Sequence, residues 1–173
     1  MDGSARRAGT PAGEKHDGQT SAPMNAADDF SPPASSGSDA LRFEDSFPAV
    51  PESVAAVRTA LQRFAKRTGV PPQTAEAVAL AASEAATNVV VHAYREAAAP
   101  GNIEVAAALA SGELWVIVTD VGAGLRPRPD SPGLGLGLAI IAQIADGVDL
   151  VKPAAGGLEL RMRFAVDREA SAA

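Results

Sequence analysis

The chain has no cysteine, and its aromatic residues are one tryptophan, one tyrosine and five phenylalanines among 173 residues. Disulfides and thiolate metal sites are therefore excluded, which fits a reducing compartment without requiring one. Hydrophobic residues make up 46% of the chain but aromatics only 4%. Much of the apolar content is alanine and valine, so the core should be rich in helices and small side chains. No apolar run approaches the roughly 18 residues that a membrane span needs. The start, Met1 to Thr20, carries charges but no apolar core of a leader peptide. A soluble, cytoplasmic protein with no membrane partner is expected. Lys and Arg form no dense run and the formal net charge is −6, which argues against direct nucleic-acid binding. No Gly-Lys-Ser/Thr loop is present either, so a Walker-type phosphate site is absent. Imidazole can come only from His16 and His92.

Residues 1–40 are mostly Gly, Ser, Ala, Pro and Asp, with Met24 and Phe30 standing alone. Such a segment cannot bury enough surface to offset its ordering entropy. It is expected to be a disordered low-complexity tail, a docking or regulatory arm being the alternative. Residues 168–173 are expected to be a similar loose end, which leaves one domain over 41–167. Within it, Leu41, Phe43 and Phe47 predict a strand that Pro48 and Pro51 terminate. Val54, Val57, Leu61 and Phe64 recur at helical spacing up to Gly69 and Pro71, with Arg58, Arg63, Lys66 and Arg67 on the wet faces. A second helix is predicted from Pro72 to about Ala97. Ile103–Leu109 and Leu114–Thr119 read as a hairpin around Ser111-Gly112, Asp120 ending its second strand. Val121–Pro132 reads as a loop, Leu136–Ile144 as a helix stopped by Gly147, and Val148–Val151 with Leu158–Phe164 as a last hairpin around Gly156-Gly157. The expected architecture is a two-layer α/β sandwich, a mixed sheet with helices on one face.

Three stretches carry chemistry. Between Ala77 and Tyr94 the only formal charge is Glu84, on a helix otherwise apolar or small on nearly every side. A carboxylate there needs a partner or a task. Asn88 and His92 follow at steps of four, which aligns the three side chains. A carboxylate that can orient or deprotonate a hydroxyl, one turn from an amide oxygen that can ligate Mg²⁺, suits phosphoryl transfer. The alternative is a carboxylate capped by a buried Arg or a backbone amide, with Asn88 bonded to a loop. Asp120 can accept a hydrogen bond from an exocyclic amine such as that of adenine, with Gly122 and Gly124 letting a ring approach the backbone; alternatively it makes an ordinary Asp-Gly turn. Gly133, Gly135 and Gly137 lead into a helix, whose unpaired N–H groups favour phosphates. A flexible hinge is the other reading of that run.

The ordered set, Ser83-Glu84-Ala85-Ala86-Thr87-Asn88 with His92-Ala93-Tyr94, then Asp120-Val121-Gly122-Ala123-Gly124, then Gly133-Leu134-Gly135-Leu136-Gly137, resembles the N, G1 and G2 boxes of the histidine-kinase-like (GHKL) ATPases. Within that superfamily it is similar to the bacterial anti-sigma factor serine/threonine kinases, over roughly Leu41 to Val166. The resemblance implies a site for ATP and Mg²⁺. Glu84 would be the catalytic base and Asn88 the Mg²⁺ ligand. Asp120 would read adenine with Gly122 and Gly124, and Gly133, Leu134, Gly135, Leu136 and Gly137 would border the triphosphate. His92 and Tyr94 fit the signature, with a packing role favoured. Arg126 and Arg128 belong to a short lid, Leu125–Pro132, which suits small kinases and not large multidomain ATPases. The resemblance also implies a sigma factor and an anti-sigma antagonist as partners, phosphorylation of the antagonist, and a homodimer. An ATP-binding interaction module without phosphoryl transfer is the rival reading.

Overall fold

The computed structural model describes residues 42–95, 97–123, 134–154 and 156–166. The tail expected over 1–40, the end at 168–173, and Gly124, Arg126, Arg128 and Gly133 lie outside the described residues.

Strand β1 (Arg42–Pro48) leads into α1 (Pro51–Arg67), which begins with a proline in its first turn and carries Glu52 there. That arrangement suits a helix start, where N–H groups lack partners and the dipole favours an acid. The apolar stripe of α1 buries Val57, Leu61 and Phe64. Lys66 and Arg67 close its last turn, and the Thr68 hydroxyl donates to the Phe64 carbonyl at 2.9 Å. Helix α2 (Pro72–Asn88) again starts at a proline. It continues directly into a π turn, Val89–Ala93. The helical segment thus ends four residues before the predicted Ala97, and its last turn is wound wider than an α-helix.

Strands β2 (Asn102–Ala110) and β3 (Glu113–Asp120) form the expected hairpin. Ser111 and Gly112 both take positive φ, 52° and 76°, the pair of signs that matches a two-residue turn to strand twist. Helix α3 (Leu134–Ile144), β4 (Gly147–Val151) and β5 (Leu158–Ala165) complete the chain.

The sheet order is β1-β2-β3-β5-β4, and all four pairings are antiparallel. The expectation of a mixed sheet is corrected. The unit β3–α3–β4 does bring β4 back in the direction of β3, but β5 inserts between them and meets each neighbour head to tail. This is a split β–α–β arrangement. The two-layer sandwich itself stands: α2 packs on both α1 and α3 and on strands β3 and β5.

Inward-facing rows run across the sheet by register, such as Ala107, Val116 and Met162, then Val105, Val118 and Leu160. All six are buried. The opposite face carries charge, with Arg163 paired to Glu113 at 3.2 Å and lying over the Trp115 ring. Phe64 and Phe164 are the largest fully buried side chains. Phe64→Ala is expected to cost about 3–5 kcal/mol of folding free energy, read as a lowered midpoint in urea denaturation at unchanged slope.

Candidate nucleotide site

The site forms where the end of α2, the end of β3 and the start of α3 converge. A cavity there is lined by Asn88, His92, Asp120 and Leu138, with Ala85, Val89, Val118, Leu158 and Leu160 completing its walls. Three of the sequence-predicted polar residues, Asn88, His92 and Asp120, therefore face one space although they come from two different layers.

Asn88 ends the α-helical part and His92 lies four residues on, in the π turn, so both keep to one side of the helical segment. The hydroxyls of the preceding motif serve the helix itself. Ser83 donates to the Ala79 carbonyl and Thr87 to the Ser83 carbonyl, each at 2.7 Å. Such back-bonds loosen the regular ladder, and they lie in the turns just before the α-to-π change.

Glu84 sits one turn earlier and is half-buried, not enclosed. Helix α2 is exposed at Leu80 and Thr87 and buried along Ala81, Ala82, Ala85 and Ala86. Glu84 therefore lies at the boundary between the apolar seam and solvent. Among the described residues no cation forms an ion pair with Glu84. Gly137 of α3 packs against it: a Cβ built on Gly137 would lie 3.0 Å from Glu84 Oε2 and 3.5 Å from the Asn88 amide atoms. The first turn of α3 thereby meets the Glu84–Asn88 pair. Leu134 and Gly135 lie in that turn, and Leu136 is exposed beside it.

Asp120 is only 3% exposed. Its Oδ1 accepts the Gly122 N–H at 2.8 Å. Burial pushes its carboxyl above the ordinary value of 3.8, opposed by the hydrogen bonds from Gly122 and Leu158. Gly122 is fixed by contact: a Cβ there would overlap the Ala93 carbonyl, the oxygen that accepts the Ala123 N–H at 2.8 Å. Tyr94 acts as a strap. Its hydroxyl donates to the Asn102 carbonyl at 2.9 Å and accepts the Val121 N–H at 3.2 Å. His92 is held below its ordinary pKa, first by burial and then by Arg95, so the imidazole is neutral at physiological pH and can pack or hydrogen-bond without adding charge.

Leu138, Val118, Leu158 and Leu160 were not legible as site residues, because apolar residues on a strand or helix read simply as core. The one available signal was register, which places Leu158 opposite Asp120.

The profile of the histidine kinase-like ATPase domain matches residues 47–164. The chain belongs to that family. The serine-protein kinase RsbW of Bacillus cereus (strain AH187) is 29% identical over 143 residues, covering 74% of this chain and 87% of that protein. RsbW of Bacillus anthracis matches at the same 29% and coverage. Among solved structures, the RsbU and RsbW domains of a Mycobacterium tuberculosis protein align with a TM-score of 0.59 at 23% identity. That match covers 76% of this chain and 34% of the other, about a third of its length. SiaB in the SiaB–SiaC complex structure from Pseudomonas aeruginosa gives 0.50 at 19% identity, covering 72% of this chain and 88% of the other. These structural likenesses show the same fold.

The buried carboxylate generates a test. A carboxyl whose pKa is raised on folding stabilises the fold while it is protonated, and the contribution is lost as pH rises through the raised value. Asp120→Asn keeps an acceptor for Gly122 and does not titrate. The variant is expected to be more stable than wild type at about pH 7 and to lose most of that advantage at about pH 4, compared by urea midpoints.

Proposed function

We propose that this chain is an ATP-dependent protein serine/threonine kinase acting as an anti-sigma factor, which phosphorylates a small anti-sigma antagonist and sequesters a sigma factor. The observation that supports it best is the packing of Gly137 on Glu84 and Asn88, next to a cavity whose buried acceptor is Asp120. A family of ATPase domains and relatives named serine-protein kinase point the same way.

The residues fit the nucleotide. Apolar Val118, Leu138, Leu158 and Leu160 can sandwich a base while the Asp120 carboxylate accepts a hydrogen bond from its exocyclic amine. Backbone N–H groups at the start of α3, from Gly135 to Gly137, suit phosphate oxygens, with Gly124, Arg126 and Gly133 assigned to the loop before it. For the metal, no cluster of three or more His, Cys, Asp or Glu exists among the described residues. Mg²⁺ commonly takes one or two protein oxygens and completes its shell with phosphates and water, so the single Asn88 amide oxygen fits Mg²⁺ and would not fit a metal caged by protein. Bound there, the ion would neutralise developing phosphate charge.

Glu84 holds the acceptor hydroxyl in line. As the serine oxygen bonds to the γ-phosphorus and the bridging bond to ADP breaks, Glu84 takes the hydroxyl proton. Its half-exposed position suits this role, since a protein substrate must reach it from solvent. Leu80, one turn before Glu84, and Leu136, beside Gly137, give that approach two exposed apolar contacts. A homodimer working in the cytoplasm completes the proposal. No helix among the described residues is long and apolar enough to cross a membrane.

Glu84→Gln is expected to lower transfer from labelled ATP to the antagonist by about 10²- to 10⁴-fold while leaving ATP affinity nearly unchanged; full activity in the variant would remove Glu84 from the chemistry. Wild-type protein that binds ATP and partner yet transfers no label would favour the interaction-module reading. Asn88→Ala should make ATP binding independent of Mg²⁺ in titration calorimetry. Asp120→Asn should weaken ATP about 10- to 100-fold, the scale of one hydrogen bond to a charged group, and should do so with or without Mg²⁺.

A further inference from the structure

The charged face of α1 takes no part in the nucleotide site. Arg58, Arg63, Lys66 and Arg67 are all exposed on it, and among the described residues no carboxylate pairs with any of them. In a chain of net charge −6 this is a local surplus of positive charge, with Glu52 the one acid on the helix. The helix dipole accounts for cations in the last turn, Lys66 and Arg67. Arg58 and Arg63 lie outside that turn, so the dipole does not account for them.

The sequence places opposite charge beside them. From Asp17 to Leu41 there is no Lys or Arg, while Asp17, Asp28, Asp29 and Asp39 supply carboxylates. This segment joins the fold at β1. There the Phe43 ring lies 6.0 Å from the Phe64 ring, and the Arg67 guanidinium lies 6.0 Å over the same Phe64 ring. The acidic segment therefore enters the domain at the basic end of α1.

We propose that residues 17–41 dock back along the outer face of α1 as an acidic strap, Asp39 beside Lys66 and Arg67 and the Asp28-Asp29 pair further along toward Arg63 and Arg58. Reach is ample. Asp39 lies three residue steps before Arg42, about 10 Å of extended chain, and α1 from Arg58 to Arg67 is about 14 Å long. Asp28 and Asp29 have more than 40 Å of tether. A single surface ion pair holds little and is screened by salt. Tethering supplies the difference, since a short flexible connection gives an effective concentration on the order of millimolar, at which several weak pairs acting together keep the strap engaged.

The chain's lysines are only Lys15, Lys66 and Lys152, so zero-length carbodiimide coupling of the full chain reads the contact directly. With unlabelled and isotope-labelled protein mixed, Lys66 is expected to couple within one chain to Asp28, Asp29 or Asp39. The yield should fall several-fold between about 20 mM and about 500 mM salt. The triple substitution Asp28→Asn, Asp29→Asn, Asp39→Asn should abolish those products and speed amide exchange over the C-terminal half of α1. Coupling of Lys66 only between chains would assign the face to a second copy and overturn the strap. So would coupling no stronger than that of Lys152, or exchange that the triple substitution leaves unchanged.

Discussion

The candidate site depends on one backbone contact: the turn after β3 lies directly on the end of the π turn. The Ala123 N–H bonds to the Ala93 carbonyl, and Gly122 approaches that same carbonyl so closely that no side chain fits. Tyr94 closes the join from the other side by taking the Val121 N–H and giving its own proton to Asn102. Because helix end and strand end are fixed to each other through main-chain atoms, Asp120 and the Asn88–His92 stripe must border the same cavity. A side-chain contact could slide through rotamers; a backbone hydrogen bond between two terminated elements has far less freedom. Gly122 is thus required by packing, and that packing fixes where Asp120 sits at the cavity.

Local pattern and tertiary consequence divide cleanly in what could be read from the residues. The stripe Val57, Leu61, Phe64 gave α1 because its burial follows the helical period, and Ser111-Gly112 marked its turn because the pair tolerates positive φ. The π turn was not legible. Val89, Val90 and Val91 look like ordinary buried helix, and nothing in their residue types marks a wider winding. Strand direction escaped for a similar reason, since nothing within β5 says that it slots between β3 and β4. At the site, Glu84, Asn88, His92 and Asp120 stood out because polar groups in apolar surroundings are costly and therefore informative. The apolar walls did not, because a Leu that faces a cavity and a Leu that faces the core have the same sequence signature.

Asp120 also shows what the site costs the fold. A carboxylate 3% exposed, with its pKa raised by burial, opposes folding at neutral pH even though Gly122 and Leu158 donate to it. A chain arranged for stability alone would place an amide or an aliphatic residue there. The surrounding core carries the difference: Val118 and Leu160 lie next to Asp120 in the sheet, and Phe164, Met162 and Val116 are buried further along. His92 follows the opposite logic. Burial and Arg95 both favour its neutral form, so the second ionisable group on the cavity adds no charge to the desolvation already imposed by the first.

The scarcity of aromatics and the geometry at Glu84 are one fact seen twice. Ala81, Ala82, Ala85 and Ala86 are each at most 2% exposed, and they form the seam by which α2 meets its neighbours. Small side chains let helix axes come close, at the lower end of the usual 8–10 Å separation. Only at such a distance can the backbone of Gly137 come near the carboxylate of Glu84 and the amide of Asn88. The alanines that look like filler in the composition therefore help to set the spacing between an acid, an amide and the start of a helix.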